Sequence, residues 1–441
     1  MTLNSLAGII VRSASPVILF AFGSALLLCA PWLASASAQQ SPTPELARTI
    51  QVPLDYQKPD LRKAPLYFEF GAPFDKTKPV VFIISDGQQF YVTRGSIAKL
   101  QQSIFGDDFN VVGIVGRGFS EVFTRSALDG TGQPDWVKAW QIFNSGQWVE
   151  DIESVRQAVV GKNGKLFLYG ASGGATLVHE YLMKYGSHVA RAYTESAAVP
   201  KLNHELGISV DRFWEEIGVA DPSLQPILLR VLTEHPAERT NILIALQRQH
   251  FFVSAEQLPA ARAEFIRALD KGDMAYLERV RKEYQVDAIV NLFNSQTGMP
   301  ISVREFEFIY PTGAFQKRRT DRVNPYVESE YTFLKPLVDL ADSDKIPAPG
   351  SGLSSAHRVE TEVFVLAARW DEAVDYRTSI ALAYSYPRHQ LFIADDNHLF
   401  AKLNGSGART RLLRTFLKYG LDSPQLKSAL SLATPYRWND F

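Results

Sequence analysis

Ser172, Asp371 and His398 have the residue types, and the order along the chain, for nucleophilic acyl transfer. A serine hydroxyl is a poor nucleophile until a neighbouring base takes its proton. That base in turn needs a carboxylate to fix its tautomer and stabilise its cation. Ser172 is the centre of Gly170-Ala171-Ser172-Gly173-Gly174. A serine held on a sharp strand-to-helix turn has a strained backbone, and a side chain two residues to either side would collide with the neighbouring strand or helix, so glycines are needed there. In a chain this long the pattern alone has a chance expectation on the order of one in ten. Its context strengthens it: an apolar run at residues 166–169 precedes the turn and a helix-like stretch at 176–185 follows.

A tetrahedral intermediate needs two backbone N–H donors for its oxyanion, and each lost donor costs about 3–4 kcal/mol of barrier. The N–H of Gly173 is one. The second is expected from the loop Ser85-Asp86-Gly87-Gln88-Gln89, with Gly87 as the donor and Asp86 as the alternative. A carboxylate at Asp86 would oppose an oxyanion unless it points away.

The elements that must position these groups can be read from periodicity. Short β-rich runs occur at residues 49–52, 66–70, 80–84, 110–115, 166–169, 190–194, 362–367 and 389–393, alternating with helical patterns such as 149–160 and 378–386. Most of the later runs are apolar on consecutive residues, as strands covered on both faces by helices are. The pattern predicts a mostly parallel, doubly wound α/β sheet. Asp371 then lies just beyond one strand and His398 beyond the next, at the strand ends where catalytic side chains of open α/β sheets gather. Asp375 falls in the following helix, and Asp395 and Asp396 are too near His398 along the loop to take the usual place. His179 and His357 read as packing or surface residues. His179-Glu180 lacks the second histidine of a zinc helix, so no metal and no cofactor are expected.

The alternation breaks at residues 203–350, which are charged and helix-patterned at 211–217, 223–232, 241–248, 255–269 and 274–285. Pro311, Pro325, Pro336, Pro347 and Pro349 punctuate the second half, predicting loops and short helices there. An insertion of this length reads as a helical cap between two parts of one core, 39–202 and 351–441.

Residues 1–38 carry Arg12, an apolar run at 17–30, Pro31 and Ala36-Ser37-Ala38, the pattern of a secretory signal peptide cut after Ala38. A secreted or periplasmic protein of 403 residues would remain, with no membrane association. Cys29, the single cysteine, would be lost with the signal, which excludes disulfides and cysteine chemistry from the mature chain. Processing would leave 45 basic against 47 acidic residues, a net charge of −2 that gives nucleic acid no footprint. The partner expected is a small molecule or a short peptide.

The order serine, acid, histidine is that of α/β-hydrolases, and the chain resembles, more narrowly, the prolyl aminopeptidase and tripeptidyl aminopeptidase group. Val52-Pro53-Leu54-Asp55-Tyr56 with Pro59 is similar to the opening of the secreted tripeptidyl aminopeptidases, and the stretch from Phe109 through Arg117-Gly118 to Ser120 resembles their D-x-R-G-x-G-x-S region. The chain departs from the group in three places. Its oxyanion loop keeps one glycine, Val115 replaces the aspartate of D-x-R-G, and Gly173 stands where an aromatic often follows the serine. The resemblance implies an α/β-hydrolase fold, a peptide substrate, and acidic cap residues that hold a free amino terminus; the cap has several acids, such as Glu215 and Glu216, and the sequence singles out none of them. A carboxylesterase acting on small esters and a non-catalytic binding protein of the same fold are the alternatives. A dinucleotide site is not supported, because Gly113, Gly116 and Gly118 have the wrong spacing for it.

Overall fold

The computed structural model describes residues 45–60, 62–85, 92–208, 213–214, 221–319, 321–350 and 359–438. The signal-peptide segment 1–38, Asp86, Gly87, Glu215, Glu216 and His357 lie outside the described residues. Eight strands form one sheet: β1 Ala47–Pro53, β2 Lys63–Phe70, β3 Val80–Ile84, β4 Asn110–Val115, β5 Leu166–Ala171, β6 Val189–Glu195, β7 Glu362–Ala368 and β8 His389–Ala394. Their order is β1-β2-β4-β3-β5-β6-β7-β8. The pairs β1–β2 and β2–β4 are antiparallel and every later pair is parallel. This is the α/β-hydrolase fold. All residues of β3 and β4 are buried, as consecutive apolar residues require when helices cover both faces.

Helix α1 (Ser145–Val160) lies on one face, and α2 (Gly173–Tyr185) follows β5 directly. Between β6 and β7 come α3 (Pro200–Glu205), α4 (Leu224–Glu234), α5 (Arg239–Phe252), α6 (Leu258–Asp270), α7 (Met274–Glu283), α8 (Val286–Phe293), α9 (Met299–Ile309) and α10 (Pro325–Asp342). Helices α4 to α7 enclose an apolar cluster of their own around Leu228, Leu243, Phe265 and Leu277. Helices α9 and α10 instead contribute Met299, Val303, Phe306, Leu334 and Leu337 to the cluster that covers the sheet. No helix among the described residues is long and apolar enough to cross a membrane.

The proline-rich second half departs from the loops and short helices expected there, because α10 runs for 18 residues. Pro325 occupies the first helical turn, where no N–H is needed, and Asn324 Oδ1 accepts from the amides of Tyr326 (3.0 Å) and Val327 (3.3 Å). Pro336 lies inside the helix at a cost of about 3 kcal/mol. Burial of Leu334, Leu337 and Val338 on the same helix, at about 1.5–3 kcal/mol for each, outweighs it.

The two segments that carry the family resemblance meet on α1. Arg117, fully buried, makes a two-pronged pair with Asp151 (Nε–Oδ2 and Nη2–Oδ1, both 2.8 Å) and donates to the carbonyls of Ile142 (2.7 Å) and Leu54 (3.1 Å). The Tyr56 hydroxyl donates to Asp151 (3.0 Å), and Gln147 accepts from the Tyr56 amide and donates to Asp55. Removing the cation would strand a buried carboxylate, so Arg117→Met is expected to destabilise the fold by about 3–5 kcal/mol. This would be read as a lowered urea midpoint with an unchanged slope. A loss below about 1 kcal/mol, the range of a surface pair, would refute the clamp.

Candidate active site

Ser172 has φ 52° and ψ −126°, a left-handed conformation that non-glycine residues avoid. Neighbouring structure holds it there. Its N–H donates to the carbonyl of Glu195 (2.8 Å) and its carbonyl accepts from Thr176 (3.1 Å). The Glu195 carboxylate is itself pinned by Arg409 Nε (2.8 Å) and the Tyr169 hydroxyl (3.0 Å). A Cβ on Gly170 would lie 2.5 Å from the Gly174 carbonyl oxygen, so the strand-to-helix crossing closes only with glycine at that position. Gly173 opens α2, where first-turn amides have no intrahelical partner and are free to face an anion.

The parallel register carries this edge across the sheet. Ala171 pairs with Glu195, Glu195 with Leu366, and Ala368 with Ala394. The chain leaving β7 therefore delivers Asp371, and the chain leaving β8 delivers His398, to the edge that presents Ser172. Asp371 is 1 % exposed; its Oδ2 accepts from His398 Nδ1 at 2.7 Å and its Oδ1 from the Val374 amide at 2.9 Å. Burial by itself would raise the Asp371 carboxyl, but the His398 charge and hydrogen bond and the Val374 amide outweigh it and hold the group below the ordinary carboxylate value. With Nδ1 donating to a carboxylate, Nε2 of His398 is left to accept a proton. Among the described residues Ser172 makes no hydrogen bond to His398. Such contacts are often long without substrate and tighten when it binds.

The other aspartates near the pair have structural partners. Asp375 caps the helix Tyr376–Tyr384 and pairs with Arg377. Asp395 accepts from the Trp370 indole (2.7 Å). Asp396 accepts from the amides of Asn397 and Leu403, both at 2.9 Å. His179 is buried between the Tyr386 hydroxyl (2.7 Å) and Thr194 Oγ1 (3.1 Å), and burial pushes its pKa down to about 3.

Several neighbours of the site have no local signature in the sequence. The Phe251 ring meets the His398 ring edge-on at 5.6 Å, which places the end of α5 against His398. Next to it, buried His250 lies 3.4 Å from Glu372, which also pairs with the fully buried Arg262 of α6. Burial first, then the Arg262 and His398 charges, lower the His250 pKa to about 3, so its ring is neutral. From α10, Tyr326 is close enough for the charges of Glu305, Glu330, Glu372 and Asp371 to raise its pKa further above what burial does. Glu330 Oε2 is buried without a hydrogen-bond partner among the described residues, and burial pushes that carboxyl up to about 8. Adjacency to Asp371 was the one available hint for Glu372.

No protein-family model matches the chain, and no curated protein matches it. Solved structures resemble it at low identity. A proline iminopeptidase from Mycobacterium smegmatis has a TM-score of 0.45 at 12 % identity, covering 86 % of this chain and 100 % of its own. An acetylester hydrolase from Corynebacterium glutamicum gives 0.41 at 13 %, covering 86 % and 95 %. A meta-cleavage product hydrolase from Pseudomonas fluorescens gives 0.40 at 14 %, covering 86 % and 99 %.

Proposed function

We propose that the chain is a secreted serine hydrolase that cleaves short peptides from a free amino end through an acyl-enzyme on Ser172. The observation that carries this reading is the Asp371–His398 hydrogen bond at the sheet edge that presents Ser172 on its strained turn. His398 takes the hydroxyl proton as Oγ attacks the carbonyl carbon, and Asp371 stabilises the imidazolium. The oxyanion accepts from the Gly173 N–H and from a second donor that we assign to Gly87. Collapse expels the amine, which leaves with the proton held by His398. Water then enters by the same route and frees the acyl group.

The preference for a peptide with a free amino terminus rests on the motif resemblance and on the cap carboxyls. An ammonium group beside Glu330 would restore its ionised form and supply the partner that Oε2 lacks. A substrate panel tests the reading. Aminoacyl or tripeptidyl anilides with a free amine are expected to be turned over, and N-acetylation of the same anilide to lower kcat/KM by at least about tenfold, the loss of one charge-assisted hydrogen bond. Turnover of short-chain esters with no anilide cleavage would assign the site to a carboxylesterase instead.

A further inference from the structure

A cavity of about 240 Å³ lies between α3 and the start of α10. None of Ser172, Asp371 and His398 lines it. That is room for a small molecule. It is lined from α3 by Asn203 and His204, and from the chain before and into α10 by Lys317, Arg322, Asn324 and Glu328 among others.

The lining is strongly one-signed. Lys317, Arg318, Arg319 and Arg322 contribute four cations against the single carboxylate of Glu328. Glu328 already holds Arg318 in a two-pronged pair (2.7 and 2.9 Å), and Asp321 holds Arg319 likewise (2.9 and 2.6 Å). The Lys317 amine has no hydrogen-bond or ion-pair partner among the described residues, the backbone N–H alone being bonded, to the Gly313 carbonyl. Asn324 provides an independent observation. Its Oδ1 is committed to capping α10, while its Nδ2 is buried and has no partner among the described residues. An unpartnered buried donor is costly, and a cation-rich cavity is a poor place to leave one without an acceptor. One acceptor group bearing negative charge would satisfy the amide and the lysine together.

We propose that this cavity is a second ligand site, which takes a small organic anion with two or more negative charges, a phosphate ester or a polycarboxylate. Bound there, the anion would touch α3 and the entry to α10 at once, with Asn324 Nδ2 and Lys317 as its donors.

Calorimetric titration of the full chain with inorganic phosphate and, separately, with citrate at low ionic strength tests the site. Saturable binding of at least one anion is expected, and the tighter of the two identifies whether phosphate or carboxylate is the natural group. Asn324→Asp keeps the helix cap and replaces the donor with a negative oxygen; Lys317→Glu reverses an exposed charge without touching the core. Each is expected to weaken binding by at least about tenfold. Either variant suffices if the other fails to fold. Absence of saturable binding for both anions, or wild-type affinity in a folded variant, would overturn the proposal.

Discussion

Ser172→Ala is expected to lower kcat by about a millionfold and to abolish labelling by a fluorophosphonate, with the melting temperature almost unchanged. The reason lies in how the residue is held. The strain at φ 52° is imposed by backbone contacts, the N–H of Ser172 on the Glu195 carbonyl and its own carbonyl under Thr176. None of these involves the hydroxyl. Alanine meets the same backbone restraint with the same Cβ, so only Oγ is lost. The experiment thereby separates chemistry from folding. Residual turnover from the oxyanion donors and binding is expected to remain above the uncatalysed rate. Retained labelling in Ser172→Ala would mean that another nucleophile is present and would sink the assignment.

Asp371→Asn is expected to lower kcat by about 10⁴-fold while leaving the fold intact. The substitution is nearly isosteric at a buried position, and the amide oxygen can still accept from Val374. The NH₂ group, however, faces His398 Nδ1 at the 2.7 Å contact, where it can only donate. The imidazole is then driven to carry its proton on Nε2, the nitrogen that must receive the serine proton. A pH signature accompanies this. The carboxyl of Asp371 is held below its ordinary value of 3.8 in the fold. Its contribution to stability is therefore present above that value and is lost as the pH falls through the lowered folded one. Acid titration followed by circular dichroism should show this loss in the wild type and not in Asp371→Asn. A fall in kcat of less than about tenfold would remove Asp371 from the mechanism.

Much of the sheet was legible because its signals are local. Residues 80–84 and, after Asn110, 111–115 carry no polar side chain, and the structure places β3 at Val80–Ile84 and β4 at Asn110–Val115, the bounds read from the sequence. The glycines around Ser172 announced a tight crossing for the same reason, since a Cβ at position 170 collides with an atom only four residues away. Asp371 could be singled out by its place after a strand, and the structure brings it to His398 while giving Asp375, Asp395 and Asp396 other partners.

Where local signals competed, they were poorer guides. Pro336 argued for a break in what is one 18-residue helix, because the apolar face that sustains the helix takes its worth from partners elsewhere in the chain. The surroundings of the candidate site were less visible still. Arg262 and Glu372 pair across 110 positions and Arg117 and Asp151 across 34, and nothing in the flanking residues of either specifies the other.

By itself the sequence determined the strand-and-helix alternation, the strained turn at Ser172, and an acid and a base following two later strands. These depend on contacts within a few residues or on the period of one element. Only the tertiary structure decided what surrounds them: Phe251 against His398, the buried carboxyl of Glu330, and the basic cavity between α3 and α10. Each depends on segments far apart in the chain, and the energy that selects such arrangements is burial between distant segments.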